Sequence, residues 1–108
     1  MEAAWKVWIQ DEGKKIFGRG PRDLLLKIES LGSINSAAKA MDMSYSKAIK
    51  LVATTEKAMG ITLLERSIGG TEGGGSKLTP QGKELVEKFT RFEEASREAV
   101  ERIYRDLF

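Results

Sequence analysis

The chain has 108 residues, 41% of them hydrophobic, which suffices for one domain with a modest core but not for a second folded unit. Cysteine and histidine are both absent, which excludes disulfides, Ser-His or Cys-His nucleophiles and histidine-based metal sites. There is no apolar run of about 18 residues and no secretory signal, so we expect a non-enzymatic cytoplasmic protein without metal, cofactor or membrane contact.

Residues 1–18 show the pattern of a β-hairpin. Apolar residues recur at every second position from Trp5 to Ile9, which is the period of a strand. The tripeptide Asp11-Glu12-Gly13 indicates a turn, and residues 14–17 can return as the second strand.

A first helix is predicted once glycines at positions 18 and 20 have interrupted this pattern. Pro21 suits the first helical position, and Asp23 would then lie near the positive end of the helix dipole. Leucine and isoleucine recur at helical spacing up to Leu31, and Gly32 ends the helix. We expect this helix to be scaffold for the core.

The next segment predicts two helices joined by a tight turn. Ser33 or Ser36 can cap the first of them, whose small alanines let a second helix cross closely. Asp42 falls in the turn, where aspartate tolerates left-handed backbone geometry better than most residues. Ser44 can cap a longer helix that runs to about Met59.

The first two turns of this longer helix carry Tyr45, Ser46, Lys47 and Lys50 outside the apolar face. In a DNA-binding helix-turn-helix, the N-terminal residues of the second helix lie against base edges in the major groove. The alternative is an ordinary solvated helix face.

Residues 14–50 hold eight basic and three acidic residues, a balance of 8 − 3 = +5, whereas residues 81–108 hold six and seven, a balance of 6 − 7 = −1. This asymmetry is expected of a phosphate-binding face, although charge alone does not exclude a merely solvated surface.

Residues 65–79 are predicted to form a glycine-rich, two-stranded wing. A strand over residues 63–68 precedes the loop GGTEGGGS and a return strand over residues 77–79. Glycine lets backbone N–H groups approach a phosphate closely. A nucleotide-binding P-loop is rejected, because Gly75 is followed by Ser-Lys-Leu and not by Gly-Lys-Ser/Thr entering a helix. Arg66 and Lys77 favour a wing on the sugar-phosphate backbone or minor groove over an unstructured loop.

The last helix is predicted to start at Pro80, with Thr79 as its cap, and to run to about Leu107. Its apolar stripe is too long for a small domain to cover, so we expect a second copy to cover the rest. The alternative is packing only against its own N-terminal hairpin. The predicted dimer interface comprises Trp5, Trp8, Phe92, Ala99, Val100, Ile103 and Leu107.

These motifs together resemble the N-terminal DNA-binding domain of the molybdate-responsive (ModE-type) regulators, whose winged helix is related to that of LysR-type regulators. The Glu65-Arg66 pair with the glycine-rich wing is fairly specific to that group, whereas the two-helix motif alone is widespread. The resemblance spans nearly the whole chain, and the residues that carry it are Gly32-Ser33-Ile34, Ala38-Lys39, Ser44-Tyr45, Leu64-Glu65-Arg66, Gly69-Gly70, Gly73-Gly74-Gly75, Leu78-Thr79 and Gly82.

The resemblance implies a transcriptional regulator that dimerises through its outer helices and the hairpin region. Regulators of this type bind oxyanion in separate C-terminal domains, whereas this sequence stops at Phe108. We therefore expect no molybdate binding by this chain, which would be either a stand-alone member of the group or an excised domain.

The sequence thus predicts a mainly α (α+β) fold, a winged helix-turn-helix. Its parts are a β-hairpin (1–18), helices including the helix-turn-helix (21–64), a wing (65–79) and a dimerisation helix (80–107). The predicted function is sequence-specific binding of double-stranded DNA by a homodimer. Two alternatives stay open, a protein-interaction module without a specific DNA target and a phosphate-ligand binder that uses the glycine loop. The predicted DNA-binding residues are Ser33, Ser36, Ser44, Tyr45, Ser46, Lys47, Lys50, Arg66, Ser67, Gly70, Thr71, Gly74, Ser76 and Lys77.

Overall fold

The computed structural model describes residues 1–67 and 75–108, which contain two antiparallel strand pairs and four helices. The element order confirms the predicted winged helix-turn-helix fold. No helix in these ranges is long and apolar enough to cross a membrane. The strands are β1 (Ile9–Asp11), β2 (Lys14–Phe17), β3 (Leu64–Arg66) and β4 (Ser76–Leu78), and the helices are α1 (Arg19–Leu31), α2 (Ile34–Ala40), α3 (Tyr45–Met59) and α4 (Pro80–Leu107).

The N-terminal hairpin turns at Glu12 and Gly13, which adopt φ angles of 49° and 77°. Left-handed geometry at both central residues gives the turn a twist that matches the strands it joins. The predicted start of the first strand at Trp5 is wrong, since β1 begins at Ile9. Ile9 pairs with Phe17, the last residue of β2, so earlier residues have no partner strand.

Helix α1 begins at Arg19, two residues before the predicted start. Pro21 therefore occupies the third helical position. Proline fits there because the first backbone N–H groups of a helix have no intrahelical acceptor. Asp23 consequently lies beyond the first turn, so the predicted interaction with the positive end of the dipole is wrong. The predicted end is right, since Gly32 (φ 81°) donates its N–H to the Ile28 carbonyl at 2.8 Å.

The helix-turn-helix is built by local capping and small buried residues. Ser33, and not Ser36, caps α2, because its Oγ accepts a hydrogen bond from the Ser36 N–H at 3.0 Å. Asp42 adopts the predicted left-handed geometry at φ 58°. The alanines at positions 37, 38 and 48 are fully buried, which lets α2 and α3 approach closely.

Helix α3 contacts the N-terminal hairpin through a residue that the sequence pattern did not single out. Thr55 is fully buried, and its Oγ1 donates to the Ile16 carbonyl at 2.5 Å. In α3, Ala48 and Val52 are buried, whereas Leu51 and Met59 are only partly covered. The hairpin is therefore fixed against α3 by a satisfied buried hydroxyl as well as by apolar packing.

Carboxylates from two helices position the wing. Glu29 of α1 accepts from the Leu78 N–H at 2.7 Å, and Glu56 of α3 accepts from the Leu63 N–H at 2.8 Å. The first wing strand, β3, is shorter than predicted and covers three residues, whereas β4 has the predicted three residues but begins one position earlier, at Ser76. These charge-assisted bonds satisfy backbone N–H groups that a short two-stranded ladder leaves unpaired.

Helix α4 leaves the domain after its first turns. Thr79 caps it as predicted, accepting from the Gly82 N–H at 2.9 Å, and Pro80 is its first residue. Gly82, Val86 and Phe89 are its only buried residues. Its 28 residues extend for roughly 42 Å at 1.5 Å per residue, which makes α4 longer than the domain is wide, 28 × 24 Å across. Most of α4 therefore projects beyond the core of this chain.

Candidate nucleic-acid interface

The N-terminal end of α3 presents an exposed polar surface. Tyr45 is 49% exposed, and the side chains of Ser46, Lys47 and Lys50 are exposed beside it. Ser44 caps the helix, because its Oγ accepts from the Lys47 N–H at 3.1 Å, and its hydroxyl proton remains free to donate. The positive end of the helix dipole adds to the lysine charges at this point, so the surface suits an anion such as a phosphate.

Ion pairing divides the cations of residues 14–50 into two groups. Arg19 and Arg22 bind opposite oxygens of Glu93 at 2.9 Å and 3.0 Å. Lys15, Lys47 and Lys50 form no ion pair within the described part of the chain. Within the described residues, the unpaired positive charge of residues 14–50 therefore resides on lysines and not on the two arginines; these lysines are Lys14, Lys15, Lys27, Lys39, Lys47 and Lys50.

The Arg22–Glu93 pair is mostly buried where α1 meets α4 and does not belong to the candidate DNA-binding face. Burial by itself would lower the pKa of Arg22, but hydrogen bonds to Asp23 and Glu93 outweigh it and leave that pKa above its ordinary value. Burial would raise the pKa of Glu93, but hydrogen bonds from Arg19 and Arg22 outweigh it and leave that pKa below its ordinary value. Both groups are therefore charged at neutral pH, and their role is to join α1 to α4.

The base of the wing gathers another set of predicted residues around a shallow cleft of about 460 Å³. Ser67 donates its N–H to the Gly75 carbonyl at 2.9 Å, which closes the base of the loop. Lys77 pairs with Glu65 at 3.6 Å on the surface, a contact that costs little to exchange for a phosphate. Arg66, Ser67, Ser76 and Lys77 all line this cleft.

The remaining predicted DNA-binding residues are distributed more widely. Ser33 is half-buried and Ser36 is exposed at the start of α2. Gly70, Thr71 and Gly74 lie outside the described residues. Lys47 and Lys50 line a different cleft from the wing residues, between β2 and α3. Lys15 lines that same cleft, although the sequence pattern marked it only as a strand residue.

The predicted dimer residues form an exposed apolar stripe on α4. Phe92, Ile103 and Leu107 are 47%, 52% and 73% exposed, while Ala99 and Val100 are partly covered. The N-terminal hairpin leaves Phe92, Ile103 and Leu107 exposed, so the alternative that it covers the whole stripe is wrong. The hairpin reaches α4 through Phe17, whose ring packs edge-on against Phe89 at 5.4 Å between centroids. Trp8 is itself 44% exposed and Trp5 is half-buried.

The fold and the site together define this chain as a winged helix-turn-helix protein. The second helix of its helix-turn-helix, α3, presents polar and lysine side chains. The family model described as bacterial regulatory helix-turn-helix protein, lysR family, matches residues 23–83. The chain belongs to this family.

Several curated relatives carry the name ModE, which confirms the resemblance seen in the sequence. The molybdenum transport protein ModE of Azotobacter vinelandii is 36% identical over 80 residues, which cover 74% of this chain and 30% of that protein. The transcriptional regulator ModE of Haemophilus influenzae is 37% identical over 76 residues, with coverages of 70% and 30%. The chain thus spans about 30% of the length of these relatives.

Solved structures show the same fold at lower identity. The crystal structure of the CbnR DBD–DNA complex superposes with a TM-score of 0.62 at 22% identity, covering 82% of this chain and 97% of that one. The structure of CbnR, a LysR family transcriptional regulator, gives a TM-score of 0.58 at 24% identity, covering 79% and 28%.

Proposed function

We propose that this chain is the DNA-binding part of a transcriptional regulator and binds a specific sequence in double-stranded DNA, without enzymatic activity. The observation that carries the proposal is the start of α3, where Tyr45, Ser46 and Lys47 project from a capped helix. Serine and lysine can donate to base edges in the major groove, and tyrosine can contact a thymine methyl or a phosphate. Membership of a regulatory helix-turn-helix family supports this assignment.

The wing would contact the sugar-phosphate backbone or minor groove beside α3. Arg66 is exposed and has no ion-pair partner among the described residues, so it can meet a phosphate without breaking a bond. Lys77 can also bind a phosphate if it gives up its surface ion pair with Glu65. Phosphate contacts of this kind fix register on the duplex without reading sequence.

The functional unit would be a homodimer joined through α4. Two copies bind two half-sites about 34 Å apart, and linkage of the two sites raises affinity without new base contacts. The exposed stripe of Phe92, Ile103 and Leu107 supports this arrangement, because apolar residues at helical spacing are buried at little cost by a matching helix.

The test is selection of bound sequences from a pool of random duplex DNA, followed by titration of the selected site at several salt concentrations. We expect one enriched motif, with two related halves, and affinity that falls with a slope of about −0.9 per phosphate contacted. An unenriched pool with salt-independent binding would overturn the proposal and favour the protein-interaction alternative. Absence of molybdate binding stays a prediction, which calorimetry with sodium molybdate checks.

A further inference from the structure

The N-terminal hairpin and α3 enclose a lysine-rich cleft. This β2–α3 cleft has a volume of about 320 Å³. Three lysines, at positions 15, 47 and 50, line it beside the apolar side chains of Ile16, Pro21 and Leu51. The lysines come from two elements that lie more than 30 residues apart in the chain, so the cleft exists only in the folded protein.

The cleft is held rigidly on the hairpin side. Thr55 is fully buried and donates to the Ile16 carbonyl at 2.5 Å, directly after Lys15 in the chain. The tight turn at Glu12 and Gly13 fixes the register of β2 against β1. Lys15 is therefore presented from a strand that is anchored to the same helix as Lys47 and Lys50.

The cleft has a strong excess of positive charge. None of its lining residues is a carboxylate, and its three lysines have no ion pair in the ranges 1–67 and 75–108. The Lys15 ammonium also lies beside Gly18, since its Nζ is 3.2 Å from the point where a Cβ on Gly18 would be. Gly18 caps the start of α1, where the positive end of a second helix dipole adds to the lysines. An anion from outside would relieve this repulsion.

The hairpin lies outside the segment that the family model matches. The family match begins at residue 23, so Lys15 and Pro21 precede it, whereas Lys47 and Lys50 fall within it. The cleft thus combines two lysines of the family's helix-turn-helix region with one from an element N-terminal to it.

We propose that the β2–α3 cleft binds one phosphate of the DNA backbone next to the bases that α3 contacts, with Lys15 and Lys50 as its ligands. The inference rests on the proposed function. It makes the N-terminal hairpin a third DNA-contacting element beside α3 and the wing. Free phosphate shares this chemistry, and the experiment includes it as a separate arm.

The experiment compares Lys15→Gln with Lys57→Gln in the intact chain. Both remove one lysine charge that has no ion pair in the described part of the chain, but Lys57 lies in the last turn of α3 and does not line the cleft. Duplex binding is measured by fluorescence anisotropy across a salt series on the selected site and on a random duplex. We expect Lys15→Gln to lower affinity about eightfold at about 0.1 M salt, to make the salt slope shallower by about 0.9, and to affect both duplexes alike. Lys15→Arg should retain wild-type affinity, and Lys57→Gln should change neither quantity.

The outcomes separate this inference from the proposal beneath it. Wild-type protein that binds no duplex even at low salt overturns both. If the wild-type protein binds duplex and Lys15→Gln binds it with the same affinity and salt slope, only the cleft assignment is overturned. The same holds if Lys57→Gln loses as much affinity as Lys15→Gln. In the free-phosphate arm, inorganic phosphate is titrated without DNA while the amide NMR signals of Lys15 and Thr54 are followed. Saturable, stoichiometric shifts there, together with unaltered duplex binding by Lys15→Gln, would assign the cleft to a free anion and also overturn the inference.

Discussion

The Arg22 guanidinium donates to the Glu93 carboxylate at 3.0 Å and so joins α1 to α4, across 71 residues of sequence. Arg22 is almost fully buried, and its other nitrogens donate to Thr90 and Asp23. Its guanidinium also lies 5.6 Å from the centre of the Phe89 ring. This cluster sits at the point where α4 leaves the core, so it fixes the direction in which the projecting part of α4 runs.

Replacement of Arg22 by alanine should destabilise the protein by about 3 kcal/mol, because it leaves the Glu93 charge largely buried with fewer partners. Arg19→Ala is the matched control. Arg19 binds the same carboxylate, but its side chain is 56% exposed, so its loss should cost only about 0–1 kcal/mol. Urea unfolding followed by circular dichroism measures both values. Equal losses for the two variants would contradict the buried role of Arg22.

The stability contributed by Glu93 should depend on pH. Its pKa in the folded protein lies below the ordinary value of 4.5, so its contribution is fully present above that value and is lost as the pH falls through the folded pKa. The difference in unfolding free energy between wild type and Glu93→Gln should therefore be constant from pH 7 to about pH 5 and shrink at lower pH. An undiminished difference at about pH 3 would refute the linkage.

Gly82 should resist substitution because of a close backbone approach. A Cβ there would lie 2.5 Å from the Leu63 carbonyl oxygen, a backbone atom that cannot move freely. The steric cost of about 1–3 kcal/mol should exceed the gain in helix propensity of about 1 kcal/mol, so Gly82→Ala should lower the melting temperature. Gly20→Ala is the control, since nothing lies within 4 Å of a Cβ at that helical position, and it should be neutral or stabilising. The reverse order of the two melting temperatures would contradict this account.

Base reading and backbone positioning should respond differently to mutation. Tyr45→Ala should cost about 1–3 kcal/mol on the selected site and relax base preference at one position, if Tyr45 reaches a base edge. Arg66→Ala should weaken binding to selected and random duplexes alike. Competition titrations with single-base variants of the selected site compare the base preferences of Tyr45→Ala and Arg66→Ala. Sequence-independent losses for both variants would mean that α3 is not the reader.

Dimerisation should depend on the exposed stripe of α4. Ile103→Glu should give a folded monomer, because Ile103 is 52% exposed and contributes little to the core of its own chain. Specific DNA binding should weaken when the dimer is lost, because a single copy covers only one half-site. Arg102→Gln changes the charge by the same amount at a neighbouring polar position and should leave the dimer intact. Analytical ultracentrifugation gives the oligomeric state. A monomeric wild type at micromolar concentration with full specific binding would contradict the prediction.

Several local features of this protein were determined by the sequence alone. Gly32 and Gly60 end their helices in left-handed geometry, Asp42 turns the chain between α2 and α3, and Ser44 and Thr79 cap the helices that follow them. Each of these features depends on groups no more than about four residues apart, so spacing and residue type are enough to predict it.

The tertiary structure decided the contacts that join distant residues. The sequence did not indicate that Arg22 would meet Glu93, that Thr55 would bond to Ile16, or that Gly82 would lie against Leu63. Lys15 and Lys50 line one cleft for the same reason, because β2 packs against α3. Hydrogen bonds and ion pairs act over a few ångströms in space, and only the packed core brings partners that are tens of residues apart within that range.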